Sequence, residues 1–254
     1  MDPLEPALRA EALGFRFADG AWAFRGIDFS LSAGKIAVLA GRNGAGKTIF
    51  AKHLAGLLEP TEGSVFVAGL DLRRVRGTRA GRVGYVFQDA RLQAVGETVF
   101  DDALFGPTNL GFPPEQAKSR AMSALVSCGL VEKMDSFVHT LSGGELRRLA
   151  IAGVLAMSPA VVVLDEPFVN LDLEGVRSVL KIAKDMAERG VAVLVVTHEI
   201  EKVLGLASDF SIMDGGRIVL SGEPRAILEA GVESYGLRDP FRCRSGIEEL
   251  QWID

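Results

Sequence analysis

The chain alternates short apolar runs with turn residues, and the spacing within the runs changes along its length. Over roughly the first 35 residues, apolar and polar positions alternate in LGFRF and WAFRGIDFSL around Asp19-Gly20, the period of two that predicts an antiparallel hairpin. IAVLA at 36–40 is apolar throughout, as a strand buried on both faces must be. From about Gln88 to Pro159 the spacing turns helical, and QAKSRAMSALVSCGL is the clearest amphipathic segment. Strand-sized apolar runs return at 161–165 and 191–197, with a helix predicted between them over 172–189. Gly215-Gly216 inside FSIMDGGRIVLSG predicts a final hairpin. A strand, a helix and a second strand in that order predict one unit of a parallel sheet. The expected fold is α/β, with an antiparallel β subdomain ahead of the core and a helical subdomain inserted at about 89–159.

Composition narrows the class. At 254 residues and 48% hydrophobic, the chain can bury a large core, as one α/β domain with an inserted lobe would. The longest apolar runs, such as VAVLVV, are strand-sized and far short of the roughly 20 residues that span a bilayer. MDPLEPALRAEAL opens with acids and prolines rather than a basic start and an apolar stretch, so no export signal is expected. Cys128 and Cys243 lie far apart without metal spacing, as free thiols in a reducing compartment would. The net charge of −5 disfavours a nucleic-acid partner. Arg73, Arg74, Arg76, Arg79 and Arg82 read as a solvated face rather than a nucleic-acid patch.

Three motifs carry candidate chemistry. GRNGAGKT at 41–48 follows the buried strand, and Gly41, Gly44 and Gly46 free its backbone N–H groups to surround a polyphosphate at a helix start. Lys47 would neutralise the β- and γ-phosphates, and Thr48 would hold magnesium. VVVLDEP at 161–167 sets Asp165 and Glu166 at a strand's carboxyl end, where ligands collect in open α/β sheets. Asp165 would orient the magnesium shell, leaving Glu166 to polarise the attacking water. LSGGE at 141–145 satisfies a capping box through Ser142 and Glu145, while Gly143 and Gly144 expose N–H groups at the positive end of a helix. With one phosphate loop already in the chain, a second phosphate-binding helix start predicts a site shared between two copies.

Together these motifs resemble the nucleotide-binding subunit of an ATP-binding-cassette (ABC) transporter, from about Leu8 to about Ile227, which implies one ATP-binding domain over 1–230 followed by a short tail at 231–254. The resemblance implies a P-loop NTPase core of RecA-like type with the two subdomains above, ATP and Mg2+ as cofactors, and ATP hydrolysis coupled to transport. The whole loop, Gly41, Arg42, Asn43, Gly44, Ala45, Gly46, Lys47, Thr48 and Ile49, falls in the cofactor-binding set. Gln88 matches a glutamine that senses magnesium, Asp172 an aspartate that crosses the dimer interface, and His198 a histidine on the γ-phosphate. Phe17 matches the aromatic that stacks on adenine, although Phe15 and Phe17 also alternate as one core face of a strand. The sequence departs from common relatives at Glu145, where glutamine is frequent, and at Phe17, where tyrosine is. The implied catalytic set is Glu166, His198, Lys47 and Gln88; the metal set is Thr48, Gln88 and Asp165.

VGYVFQDARLQAVGETVFDDALFGPTNLG at 83–111 is similar to the ATPases of energy-coupling factor importers, through Gln93, Thr98-Val99, Asp101, Asp102, Phe105-Gly106-Pro107 and Asn109-Leu110-Gly111. That likeness implies uptake of a vitamin or a transition-metal ion. It also implies a second ATPase chain, an integral membrane coupling subunit and a substrate-binding membrane subunit as partners, at the cytoplasmic face of the membrane. In it Asp101 and Asp102 lie beside a groove for arginine-bearing helices of the coupling subunit; alternatively, both acids cap a helix start. Other readings are the ATPase of a different transporter class, or a soluble ABC ATPase that does not transport.

Overall fold

A computed structural model of the chain describes residues 5–74 and 82–240. Arg76, Arg79 and Cys243, singled out above, lie outside the described residues. In chain order the elements are β1 (Leu8–Arg16), β2 (Trp22–Leu31), β3 (Ile36–Ala40), α1 (Lys47–Leu54), β4 (Glu62–Val67), β5 (Leu70–Asp71) and β6 (Val83–Val86). There follow α2 (Val99–Asn109), α3 (Pro114–Ser127), α4 (Gly143–Ala156), β7 (Val161–Asp165), α5 (Leu173–Glu188), β8 (Ala192–Val196), β9 (Asp209–Asp214), β10 (Arg217–Gly222) and α6 (Pro224–Glu229).

The strands form two sheets. β1 and β2 pair antiparallel from Leu8↔Leu31 to Arg16↔Trp22, with Gly20 at φ 91 in the turn between them. β4 and β5 extend this sheet in the order β2-β1-β4-β5, although no strand was expected at 62–71. Gly63, at φ 79, permits the pairing: a β-carbon there would stand 2.3 Å from the Glu11 carbonyl oxygen of β1. The second sheet runs β10-β9-β3-β8-β7-β6 and is parallel apart from the β9–β10 hairpin, whose turn glycines, Gly215 and Gly216, have φ 53 and 74.

Period-two alternation along the central strands sorts their side chains into two cores. Ile36, Val38, Val162, Leu164, Val193 and Val195 face Leu125, Leu149, Val179 and Ile227 of α3, α4, α5 and α6. Ala37, Leu39, Val161, Val163, Leu194 and Val196 face Phe50 and Leu54 of α1 and Leu8, Leu13 and Phe24 of the antiparallel sheet. Each such aliphatic or aromatic side chain contributes about 1.5–3 kcal/mol, so the sheet is a rigid floor for the loops at its carboxyl edge. Cys128 is buried in the first core, and burial pushes its thiol up to about 12, which keeps it protonated. Val232 and Leu237 are buried in the same core, so the expected boundary after residue 230 falls inside continuously packed chain.

Candidate functional site

The loop between β3 and α1 is shaped by its glycines. A β-carbon at Gly41 would stand 2.0 Å from the Met213 carbonyl oxygen, and one at Gly46 3.2 Å from that of Ala23. Gly41, Gly44 and Gly46 also take φ 145, 82 and 98, which side-chain-bearing residues rarely adopt. Gly46 precedes α1 without a side-chain cap, and no acid sits in the helix's first turn. The positive end of the helix is therefore uncompensated from within the helix, as an anion site requires. Arg42, Asn43 and Gly44 form the exposed crest of the loop, whereas Ala45 is buried and Ile49 packs against the second core. Lys47 is only 6% exposed, and its Nζ donates to the carbonyls of Gly41 at 2.7 Å and Arg42 at 3.0 Å. Burial lowers its pKa, opposed by Glu166 and Asp165.

Asp165 and Glu166 end β7 within reach of this loop. Thr48 Oγ1 donates to Asp165 Oδ1 at 3.2 Å, and the Tyr85 hydroxyl of β6 donates to Oδ2 at 2.7 Å. Burial raises the Asp165 pKa, and those two bonds pull it back. Tyr85 is pushed well above the ordinary phenol value, first by burial and then by the Asp165 charge, so it stays a donor. Glu166 takes φ 45, a left-handed conformation that costs a non-glycine residue about 1–2 kcal/mol, and its N–H is held by the Val196 carbonyl at 2.8 Å. Its carboxylate accepts from Thr197 Oγ1 at 3.1 Å and meets His198 Nδ1 at 3.0 and 3.1 Å. The neighbouring ends of β7 and β8 bring these three side chains together.

Thr48, Gln88, Asp165, Gly143 and Arg147 line one cleft of about 460 Å3. A hydroxyl, an amide and a carboxylate there supply the oxygen donors that Mg2+ takes. Among the described residues no three His, Cys, Asp or Glu side chains cluster as a metal cage, so a cation held here would share its shell with phosphate oxygens. Across the cleft, Arg147 on α4 is buried and donates through Nη1 to the Phe87 carbonyl and through Nη2 to that of Gln88, both at 2.6 Å. Burial lowers its pKa while Asp89 and Asp165 hold it up. Gln93 makes a second tie, accepting from Phe87 N at 3.1 Å and donating to the Ala150 carbonyl at 3.2 Å. The segment that carries Gln88 and the helix that opens at LSGGE are thus bonded to each other. Arg147, Tyr85 and Thr197 were missing from the sequence-based site. Arg147 had a readable signal, an arginine on the apolar face that α4 presents through Ala150, Ile151 and Val154.

The LSGGE segment forms the expected capping box: the Ser142 hydroxyl and N–H both meet the Glu145 carboxylate at 2.8 Å, and Glu145 N donates to Ser142 Oγ at 3.3 Å. Ser142's hydrogen bonds draw the Glu145 pKa down. Ser142 and Gly143 are exposed, a β-carbon at Gly143 would meet nothing within 4 Å, and one at Gly144 only Arg148 Nη1 at 4.0 Å. Asp172 is exposed and caps α5 by accepting from Gly175 N at 2.8 Å. Phe17 is 40% exposed, with its ring edge-on to Phe15 at 5.4 Å. Phe15 instead packs against the second core, so the two aromatics do not share one buried face.

Asp101 and Asp102 do not act as a pair. Asp101 closes a capping box with Thr98 at the start of α2, as the alternative for these acids holds. Asp102 is buried, its Oδ1 accepting from Val95 N at 2.7 Å and Gly96 N at 3.0 Å. Its side chain lines a groove of about 330 Å3 with Val95, Phe105, Leu110, Val154 and Met157. Burial raises its pKa, and the two N–H groups only partly offset that. The two adjacent acids thus differ in place: Asp101 is exposed on the cap of α2, and Asp102 lies in the wall of the groove.

The chain is similar to known proteins in sequence and in fold. The family model for the ABC transporter matches residues 24–169. The energy-coupling factor transporter ATP-binding protein EcfA of Methanosphaera stadtmanae is 37% identical, over 92% of this chain and 86% of that protein. The cobalt import ATP-binding protein CbiO of Rhodobacter capsulatus is 36% identical, over 94% and 87%. Among solved structures, cbiO1 from Clostridium perfringens, part of the transporter complex cbiONQ, superposes with a TM-score of 0.82 at 31% identity, covering 91% of this chain and 93% of that one. The dimeric cassette MJ0796 has the same fold, with a TM-score of 0.76 at 21% identity over 86% and 99%.

Proposed function

The chain belongs to the ABC transporter family of ATP-binding subunits, and we propose that it binds and hydrolyses magnesium-ATP, as one of two ATPase chains, to drive an energy-coupling factor importer of a vitamin or a transition-metal ion. The relatives named EcfA and CbiO support the importer class. The observation that carries the chemistry is the convergence of Lys47, Thr48, Asp165, Glu166 and His198 on one edge of the parallel sheet.

In this assignment the loop from Gly41 to Thr48 surrounds the polyphosphate with backbone N–H groups, and Lys47 turns from its two carbonyls to the β- and γ-phosphates. Thr48, Asp165 and Gln88 would hold magnesium, which would supply positive charge to offset that of the polyphosphate. Phe17 offers its exposed ring to adenine. Glu166, fixed by Thr197 and His198, polarises the attacking water. As the new O–P bond forms, the bond to the β-bridging oxygen breaks, ADP leaves, and the water's proton moves toward the Glu166 carboxylate. With Nδ1 on Glu166, His198 keeps Nε2 for the γ-phosphate, where charge spreads in the transition state.

Ser142, Gly143 and Gly144 serve the partner's nucleotide rather than their own, and Asp172 crosses the interface between the two ATPase chains. Among the described residues no helix is long and apolar enough to cross a membrane, so attachment to the cytoplasmic face is assigned to docking on membrane subunits. The groove beside Asp102 suits a helix carrying an arginine, because a buried carboxylate with one oxygen held by two N–H groups keeps the other for a charge-assisted bond. Equilibrium binding of ATP to wild type and Lys47→Ala tests the nucleotide site. Removing this ammonium should cost about 2–5 kcal/mol, or roughly 30- to 4,000-fold in affinity. Equal affinity of the two proteins would overturn the assignment, and co-purification of the tagged chain without any integral membrane protein would overturn the importer.

A further inference from the structure

Arg42 lies in the phosphate loop, yet its side chain reaches the last described segment of the chain: Nη2 donates to the Ser234 carbonyl at 2.6 Å. That segment is itself anchored. Val232 and Leu237 are buried with Phe210, Ile212 and Ile227, and a single helical turn, Glu233–Tyr235, bridges them. Gly236 closes the turn at φ 70, its N–H on the Glu233 carbonyl at 2.9 Å. A β-carbon at Gly236 would stand 2.7 Å from Arg42 Cγ and 2.8 Å from Nε, so glycine is needed there for its φ and for the space the arginine stem occupies. On the loop side, the Arg42 carbonyl accepts from Lys47 Nζ at 3.0 Å and from Ala45 N at 3.2 Å. One residue thus holds the carboxyl-terminal segment with its side chain and the phosphate-binding lysine with its backbone.

We propose that residues 232–237 position the phosphate loop through Arg42 and so set how tightly the loop takes ATP, a role that rests on the nucleotide site assigned above. The physical reason is preorganisation. The exposed crest, Arg42 to Gly44, contains a glycine and is flanked by others, and pinning its one long side chain to a turn that Val232 and Leu237 anchor lowers the ordering entropy lost when a polyphosphate enters. Because a preorganised loop serves the bound substrate and the transition state alike, the effect belongs in KM rather than in kcat.

The test compares Arg42→Ala, Arg42→Lys and Gly236→Ala with wild type by steady-state ATPase, equilibrium ATP binding and thermal unfolding. Arg42→Ala and Gly236→Ala should each raise KM and Kd for ATP by roughly 3- to 10-fold while kcat falls less than about twofold. Arg42→Lys keeps an N–H donor on a long stem and should restore most of the affinity. In the Arg42→Ala background, Gly236→Ala should add little, since the side chain it displaces is gone. Unchanged KM in Arg42→Ala, fully additive effects of the two substitutions, or a fall in kcat without a rise in KM would overturn the proposal. Should Gly236→Ala fail to fold, the two Arg42 variants decide alone. Failure of the wild type to bind ATP would overturn the site itself; equal binding by wild type and Arg42→Ala would overturn only the positioning role.

Discussion

The two glycine-rich turns of this molecule differ in what their own chain demands of them. In the phosphate loop, Gly41 and Gly46 are boxed in by the carbonyls of Met213 and Ala23, and all three glycines need positive φ. At the start of α4, Gly143 and Gly144 are helical residues in open space, where side chains would fit and would favour the helix by up to about 1 kcal/mol each over glycine. The first turn is glycine because the fold cannot otherwise close. The second has no such reason inside the chain, which points to a ligand approaching from outside, held by another copy or a related chain. The surroundings differ in the same sense: Lys47, Asp165 and Glu166 are buried and each hydrogen-bonded within the chain, whereas Ser142 and Gly143 are exposed on a self-sufficient cap.

Gly143→Asp strikes at this contrast with the largest expected effect. A carboxylate in the first turn suits the helix dipole, so the free chain should unfold at the same temperature or slightly higher. Facing a partner's phosphates, the same charge should cut ATPase turnover by about 100- to 1,000-fold, the scale of a lost transition-state donor. Turnover within a few-fold of wild type would show that α4 does not meet phosphate. On the other side of the contrast, Phe17→Ala should weaken ATP binding by about 1–3 kcal/mol, the range for a lost base-stacking ring, with maximal rate nearly kept. A fall in thermal stability with affinity intact would return Phe17 to the core. The smallest effect concerns Asp102, whose pKa is raised in the folded chain. Such a carboxyl binds its proton more tightly when folded, so its stabilising contribution is present below the unfolded value and lost as pH rises through the folded one. Asp102→Asn, neutral at every pH, should therefore raise the unfolding temperature at pH 7 by about 2–4 °C, and the gain should vanish in acid. The same variant should co-purify less with membrane subunits. A pH-independent difference, or unimpaired assembly, would remove the groove assignment.

Most of the candidate nucleotide site was legible in the sequence, because phosphate binding needs consecutive residues in fixed order: Gly41 to Thr48 on one turn, Asp165-Glu166 on one strand end. The hairpins at Asp19-Gly20 and Gly215-Gly216 were legible for the same local reason. What escaped depends on strand order and long-range closure. Tyr85 meets Asp165 only because β6 lies beside β7, and β4 joins β1 through a glycine whose neighbour comes from far along the chain. Arg147 could have been suspected from its place on an apolar face, but its acceptors, two backbone carbonyls, leave no trace in composition. The different places of Asp101 and Asp102 could not be read, because adjacent acids look alike until α2 turns one to its cap and the other inward.

The central claim, a nucleotide site completed by the LSGGE turn of a second ATPase chain, is tested most directly by light scattering of Glu166→Gln with and without magnesium-ATP. Loss of the carboxylate blocks water activation while Lys47, Thr48 and the phosphate loop remain, so bound ATP persists. The expected result is monomer without nucleotide and dimer with it, reverting to monomer when Gly143→Asp is added to the same chain. Glu166→Gln that stays monomeric at saturating magnesium-ATP, alone and with its partner ATPase chain, would contradict the shared site.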